Sequence, residues 1–379
     1  MRRAVVAALC CLVTATVAQA TDLDDVSPRT LVFARGGKLL KTNGRGKGET
    51  EIATLPAKRT VRALKVDSLG KVLLADIGGT WAWMPLDGSV KTLTDLPCES
   101  GPAQLSLDGA YVLCRSKAGS IVVNFKSGKV TPIDVPAAGA RLTGTGAELR
   151  VVWADAQGVW SAVPPQKTKP VKVAPTPPLR GLLASPDGTH ALGIYAGEVF
   201  EGRSKRKPSD VLMVFALDGT GAQRHSLANG VPVEWSNDSK WTLVQDGSSA
   251  CITLAAGGQY KCWRGYTAQS ISSDGKYALL LGNRDHAKTE DKKSKKSKSK
   301  KGDKKKKAPP PEEPIAESAE AAEGDEHGDE PVAIDELPVA PPSGPLSLYR
   351  GQLDGPYTTA PQLVARDVEG AAVWIPSPP

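Results

Sequence analysis

Histidine is scarce in this 379-residue chain, at four residues. Two of the four, His286 and His327, fall in or beside a stretch with no apolar pattern, while His190 and His225 stand apart from one another. No histidine and carboxylate residues share a metal-ligand spacing and no C-x-x-C occurs, so no metal centre and no cofactor are expected. A G-x-S-x-G elbow is also missing, which argues against a serine hydrolase, and no room remains for a hydrolase domain. No glycine-rich loop precedes a helix; Arg35-Gly36-Gly37 joins two apolar runs that read as strands. Aromatic residues make up 5%, and no apolar run after the first twenty residues is long enough to cross a bilayer.

Those first twenty residues read as an export signal. Arg2 and Arg3 open it, an apolar stretch follows from Ala4 to Val17, and Ala18-Gln19-Ala20 makes a cleavage site before Thr21. A mature chain of residues 21–379 in the periplasm or outside the cell is the expectation. Cysteines tend to pair in such a compartment, and four of the six remain: Cys98, Cys114, Cys251 and Cys262. Folding Cys251–Leu254 onto Gln259–Cys262 about Ala256-Gly257 as a hairpin puts Cys251 opposite Cys262, within reach of a disulfide. Cys98–Cys114 then follows by elimination; buried free thiols on neighbouring strands are the alternative.

What the chain does have is a returning phrase, Ser-x-Asp-Gly followed by an apolar run. It stands at Ser106–Gly109, Ser185–Gly188 and Ser272–Gly275. Weaker copies occupy Asp67–Gly70, Thr143–Gly146, Ser236–Ser239 and Asp367–Gly370. A period of roughly 40 residues marks a propeller or a solenoid. From Leu64 onward each unit reads as four short strands, with the phrase joining the first to the second: in the first unit 63–66, 71–76, 80–84 and 90–94. Aspartate caps such a turn and glycine takes the positive φ, so these aspartates are structural rather than catalytic. Six whole units follow, and a seventh is shared between the chain ends: 362–366 and 371–375 would open it, and 30–34, 38–41 and 51–55 would complete it. One strand is surplus in that count. The expected fold is all-β, a single propeller of seven four-stranded blades.

Ser185-Pro186-Asp187-Gly188 before a strand, with the later turn Leu217-Asp218-Gly219, resembles the WD40-like repeats of TolB-type periplasmic propellers. The resemblance implies a propeller fold and a binding role, and it does not extend to the separate N-terminal α/β domain of that family.

The repeat breaks over residues 286–343. Lys292, Lys293, Lys295, Lys296, Lys304 and Lys305 belong to a lysine-rich half, Pro309-Pro310-Pro311 follows, and an acidic half runs from Glu312 to Glu336. Blocks of like charge repel and bury nothing, so disorder is expected. The insertion falls between the second and third strands of its unit. Two units earlier, the same place holds Arg203, Lys205, Arg206 and Lys207. Equivalent propeller loops leave one face, so both basic segments are expected on the same side of the disc. The functional expectation is an exported, monomeric, non-enzymatic scaffold for an unknown envelope protein. Binding of an anionic polymer through the basic loops and an enzyme with a channel site are the alternatives.

Overall fold

The computed structural model describes residues 29–283 and 346–376, apart from connecting stretches at 57–58, 100, 102, 118, 134, 136–139, 156, 165–170, 175–178, 202–204, 219–221, 229, 257–259 and 354–359. Three N-terminal strands, β1 (Thr30–Arg35), β2 (Lys38–Asn43) and β3 (Thr50–Thr54), precede six complete meanders. Blade 1 is β4 (Val61–Val66), β5 (Val72–Ile77), β6 (Thr80–Pro85) and β7 (Thr94–Glu99). Blade 2 is β8 (Ala103–Leu105), β9 (Tyr111–Ser116), β10 (Gly119–Asn124) and β11 (Val130–Ile133). Blade 3 is β12 (Arg141–Thr143), β13 (Arg150–Asp155), β14 (Gly158–Ala162) and β15 (Val171–Ala174). Blade 4 is β16 (Leu179–Ala184), β17 (His190–Glu201), β18 (Lys205–Ala216) and β19 (Ala222–Ala228). Blade 5 is β20 (Gly230–Trp235), β21 (Trp241–Asp246), β22 (Ser249–Leu254) and β23 (Tyr260–Arg264). Blade 6 is β24 (Tyr266–Ile271), β25 (Tyr277–Asn283), β26 (Leu346–Gln352) and β27 (Gln362–Val368). The C-terminal β28 (Ala372–Ile375) pairs with β1 and becomes the innermost strand of blade 7.

The chain is therefore a seven-bladed β-propeller, its ring closed by one strand from the C-terminus and three from the N-terminus. This corrects the expected closure. Gln362–Val368 is the outer strand of blade 6, and Asp367–Gly370 links blades 6 and 7 rather than the first two strands of one blade. The surplus strand thereby disappears. The outer strand of blade 1 likewise lies at Thr94–Glu99 instead of 90–94, which brings Cys98 into the sheet.

Each blade is covered on both faces by its neighbours, which explains why its strands read as unbroken apolar runs. In β25, Tyr277, Leu279 and Leu281 enter the apolar cluster shared with blade 7, while Ala278 and Leu280 enter the one shared with blade 5. Alternate strand residues point to opposite faces, so a sheet buried on both sides needs no polar alternation. Every blade-to-blade interface carries such a cluster.

The turn phrase works the same way at each clear copy. Ser106 Oγ donates to Asp108 Oδ1 and accepts the Tyr111 amide at 3.0 Å, and Asp108 Oδ1 accepts the Ala110 amide. Ser185–Asp187, Ser236–Asp238 and Ser272–Asp274 repeat the arrangement. At Asp67 a carboxylate replaces the serine hydroxyl and accepts the Lys71 and Val72 amides, both at 2.7 Å.

Both expected disulfides are present. Cys251 and Cys262 face each other across β22 and β23 within blade 5. Cys98 on β7 joins Cys114 on β9 and so staples blade 1 to blade 2 inside their shared apolar cluster.

Candidate functional site

The innermost strands surround a central channel of about 600 Å³ that every blade lines. One level of it is set by register. Lys65, Gln104, Arg141, Leu183, Glu234, Ser270 and Val373 each pair with the third residue of their blade's second strand. They form a ring of equivalent positions, one per blade. Three accept a backbone hydrogen bond from the next blade: Gln104 from the Leu142 amide at 2.8 Å, Glu234 from Ile271 at 2.8 Å and Ser270 from Trp374 at 3.4 Å. This level is an inter-blade lock, and Lys65, Gln104, Arg141, Leu183 and Glu234 of it also line the channel.

Charge is uneven around the ring. Arg141 is 3% exposed, with its guanidinium donating to the Ala140 carbonyl at 2.9 Å. Lys65 is half-buried. Burial pushes the Glu234 carboxyl up from an ordinary value of 4.5 to about 7, against the hydrogen bonds from Ile271 and Ser270 and the charge of Lys65. Glu234 is partly open to the channel, yet protein surrounds it closely enough to make ionisation costly. Asp67 is also raised by burial, opposed by the backbone amides of its turn.

The two ends of the channel differ. At the end carrying the Ser-x-Asp-Gly turns, Asn237 Nδ2 of blade 5 donates to the Ser68 carbonyl of blade 1 at 3.4 Å, spanning the lumen. The opposite end carries the connections between second and third strands, and exposed Arg62 and Arg115 line it. Arg62 is the extra residue of a β-bulge in β4, where the register slips between Val61 and Ala63; such an insertion re-aims a side chain that plain alternation would place elsewhere. Leu281 and Leu346, which flank the 286–343 insertion, line the same channel.

The sequence-based basic site is only partly a loop. Lys205, Arg206 and Lys207 lie on β18, paired with Glu201, Phe200 and Val199 of β17 in a hairpin twice as long as most of the others. The cause is local: the chain on both sides of 202–204 continues the antiparallel ladder, so only Arg203 stays in the connection, outside the described residues. Lys292, Lys293, Lys295, Lys296, Lys304 and Lys305 also lie outside them. Both segments leave from the connection between second and third strands, as the repeat implied. Among the described residues no group of three or more His, Cys, Asp or Glu could hold a metal ion, and no helix is long and apolar enough to cross a membrane.

Sequence reasoning missed the ring. A usable signal existed: reading two positions back from each turn phrase gives Lys65, Gln104, Leu183, Glu234 and Ser270. The weaker copy at Thr143 gives Arg141 in the same way, although a 3-10 turn at Gly146–Glu148 lengthens the loop that follows; only Val373 escapes, because Asp367–Gly370 precedes its strand.

No protein-family model and no curated protein matches the chain. Solved structures do. Putative TolB from Agrobacterium tumefaciens is 11% identical, with 90% of each chain covered and a TM-score of 0.41. TolB from Acinetobacter baumannii is 10% identical over 93% of this chain and 68% of that one, at a TM-score of 0.43. A protein from Desulfotomaculum acetoxidans described as functionally unknown is 9% identical over 92% and 99%, at 0.48. The likeness is one of fold.

Proposed function

We propose that this chain is an exported binding propeller that engages an acidic protein of the cell envelope through its loop face and catalyses no reaction. The observation that carries this reading is the pair Arg62 and Arg115, exposed at the end of the channel where β17 meets β18 and β25 meets β26, the strand pairs between or beside which the basic residues Arg203–Lys207 and Lys292–Lys305 fall in sequence. Cations gathered on one face of a rigid ring steer an anionic partner and set its orientation. Two disulfides support the exported setting, since such bonds persist in oxidising compartments.

One observation favours a second reading. A carboxyl held near neutrality in a channel, as Glu234 is, suits general acid–base chemistry. Glu234 Oε2, however, accepts the Ile271 amide, which gives the residue a structural task of its own.

The test is binding of the mature chain, with and without residues 287–342, to envelope extracts across a salt series. Steeply salt-sensitive binding that is weakened by the deletion and abolished by protease treatment of the extract supports an acidic protein partner. Binding that survives protease points to an anionic polymer. Binding indifferent to salt and to the deletion overturns the loop-face reading.

A further inference from the structure

The ring in the channel is incomplete as a set of hydrogen-bond acceptors: of the four positions whose side chains accept nothing from the next blade, Leu183 and Val373 are apolar and two, Lys65 and Arg141, are cationic. In each blade the residue just before the turn sits at a ladder position whose amide points away from the second strand, because the following amide makes that bond: Ser106 to the Tyr111 carbonyl at 2.9 Å, Ser185 to the His190 carbonyl at 2.8 Å. Gln104, Glu234 and Ser270 each present an oxygen to the outward amide of the next blade. The equivalent amides of Leu105 and Ala184 follow Lys65 and Arg141. Lysine and arginine accept no hydrogen bond. At these two places the channel wall carries a cation and a backbone donor at one level, both on the side made by blades 1 to 4.

We propose that the channel is a binding site for a small oligo-anion, bearing two or more carboxylate or phosphate groups, held by Lys65, Arg141 and the amides of Leu105 and Ala184. The lumen has the volume of an ordinary small-molecule pocket. Asn237 and Ser68 bridge its turn end, so the ligand enters from the loop face past Arg62 and Arg115. Donors fixed by the β-ladders need no reorganisation to meet an anion, and a guanidinium adds a two-pronged contact. Glu234 weakens this field only as pH approaches its raised pKa of about 7: one of its oxygens is committed to Ile271, and burial keeps its carboxyl largely protonated below that pH. The site is independent of the loop-face reading, since none of its holding groups lies in either basic segment.

Calorimetric titration of the full mature chain with citrate and with pyrophosphate, and with acetate as a single-charge control, tests the proposal. Citrate or pyrophosphate binds, acetate does not, and Lys65→Gln weakens binding by about tenfold or more, the loss of one charge-assisted contact. Because Arg141 is buried, Arg141→Gln is read only together with its melting curve, and half-buried Lys65 carries the decision. Glu234→Gln tightens binding at pH 8, where the native carboxyl is charged, an effect that a purely structural ring would not show. The chain lacking 287–342 binds as the full chain does. Silence with both oligo-anions, undiminished binding by a folded Lys65→Gln variant, or loss of binding on the deletion alone overturns the site.

Discussion

The two faces of this disc are built on opposite principles. On the turn face one phrase recurs and its copies touch: the Ser68 amide donates to the Leu107 carbonyl, Gly144 to Pro186, and Asp238 to Ser273. Where blade 6 meets the closing blade, Arg29 grips Asp274 with two hydrogen bonds of 2.9 and 2.8 Å. The loop face has no common phrase. Its second-to-third connections range from Gly78-Gly79 in blade 1 to the 286–343 insertion in blade 6. Repetition marks what every blade needs in order to pack against the next. Departure from repetition marks where the ring leaves the chain free to acquire chemistry, as in the lengthened hairpin of β17 and β18.

Glycine substitutions give the largest expected contrast. Gly275, at φ +71° in the blade 6 turn, would place a Cβ 2.1 Å from Trp241 Cδ1 of blade 5. Gly275→Ala is expected to cost about 3 kcal/mol or more, combining left-handed strain with an inter-blade clash. Gly247, at φ +53° on the loop face, has nothing within 4 Å of such a Cβ. Gly247→Ala should therefore cost only about 1–2 kcal/mol of backbone strain. Urea unfolding of the two variants measures the gap, and equal costs would erase the distinction between the faces.

A smaller contrast is electrostatic. Burial alone would raise the pKa of Asp274, but the hydrogen bonds from Arg29 and Ser272 and the Lys276 amide overcome it and bring it from 3.8 to about 2. A lowered carboxyl stabilises the fold above its ordinary pKa and loses that contribution as pH falls from about 4 toward 2. Asp274 is more than a third exposed, so solvent screening limits the effect to about 1 kcal/mol. Asp274→Asn should flatten the acid limb of a melting-temperature profile.

Glu234 gives the opposite sign from inside the channel. Its raised pKa means that the folded state prefers the protonated form. Its contribution is thus complete below about 4.5 and is lost as pH rises to about 7. Glu234→Gln, which keeps an oxygen for the Ile271 amide, should remove that decline between pH 5 and 7 and leave the acid limb untouched. A profile unchanged by Glu234→Gln would show that the carboxyl titrates normally.

How much of this was legible beforehand differs between the faces for the same reason. Ser106, Asp108 and Gly109 act on residues at most five positions away, so their spacing alone announces the turn. The Cys251–Cys262 pair was readable because a hairpin brings near neighbours face to face. Gln362–Arg366 reads as the start of the closing blade but belongs to blade 6, because a strand's spelling does not say which sheet receives it. The basic run Lys205–Lys207 reads as a loop in sequence because polar residues on a lengthened hairpin look like loop residues.

An all-β ring of seven blades, its turns and the Cys251–Cys262 disulfide follow from local spacing and from a repeat that must bury both faces of every sheet, whereas Cys98–Cys114 joins two blades and follows only by elimination. That Lys65, Arg141 and Glu234 share one level of a common channel is a product of the assembled ring. They are scattered over about 170 residues. Ring closure and strand register, not proximity along the chain, bring them to one level around the lumen.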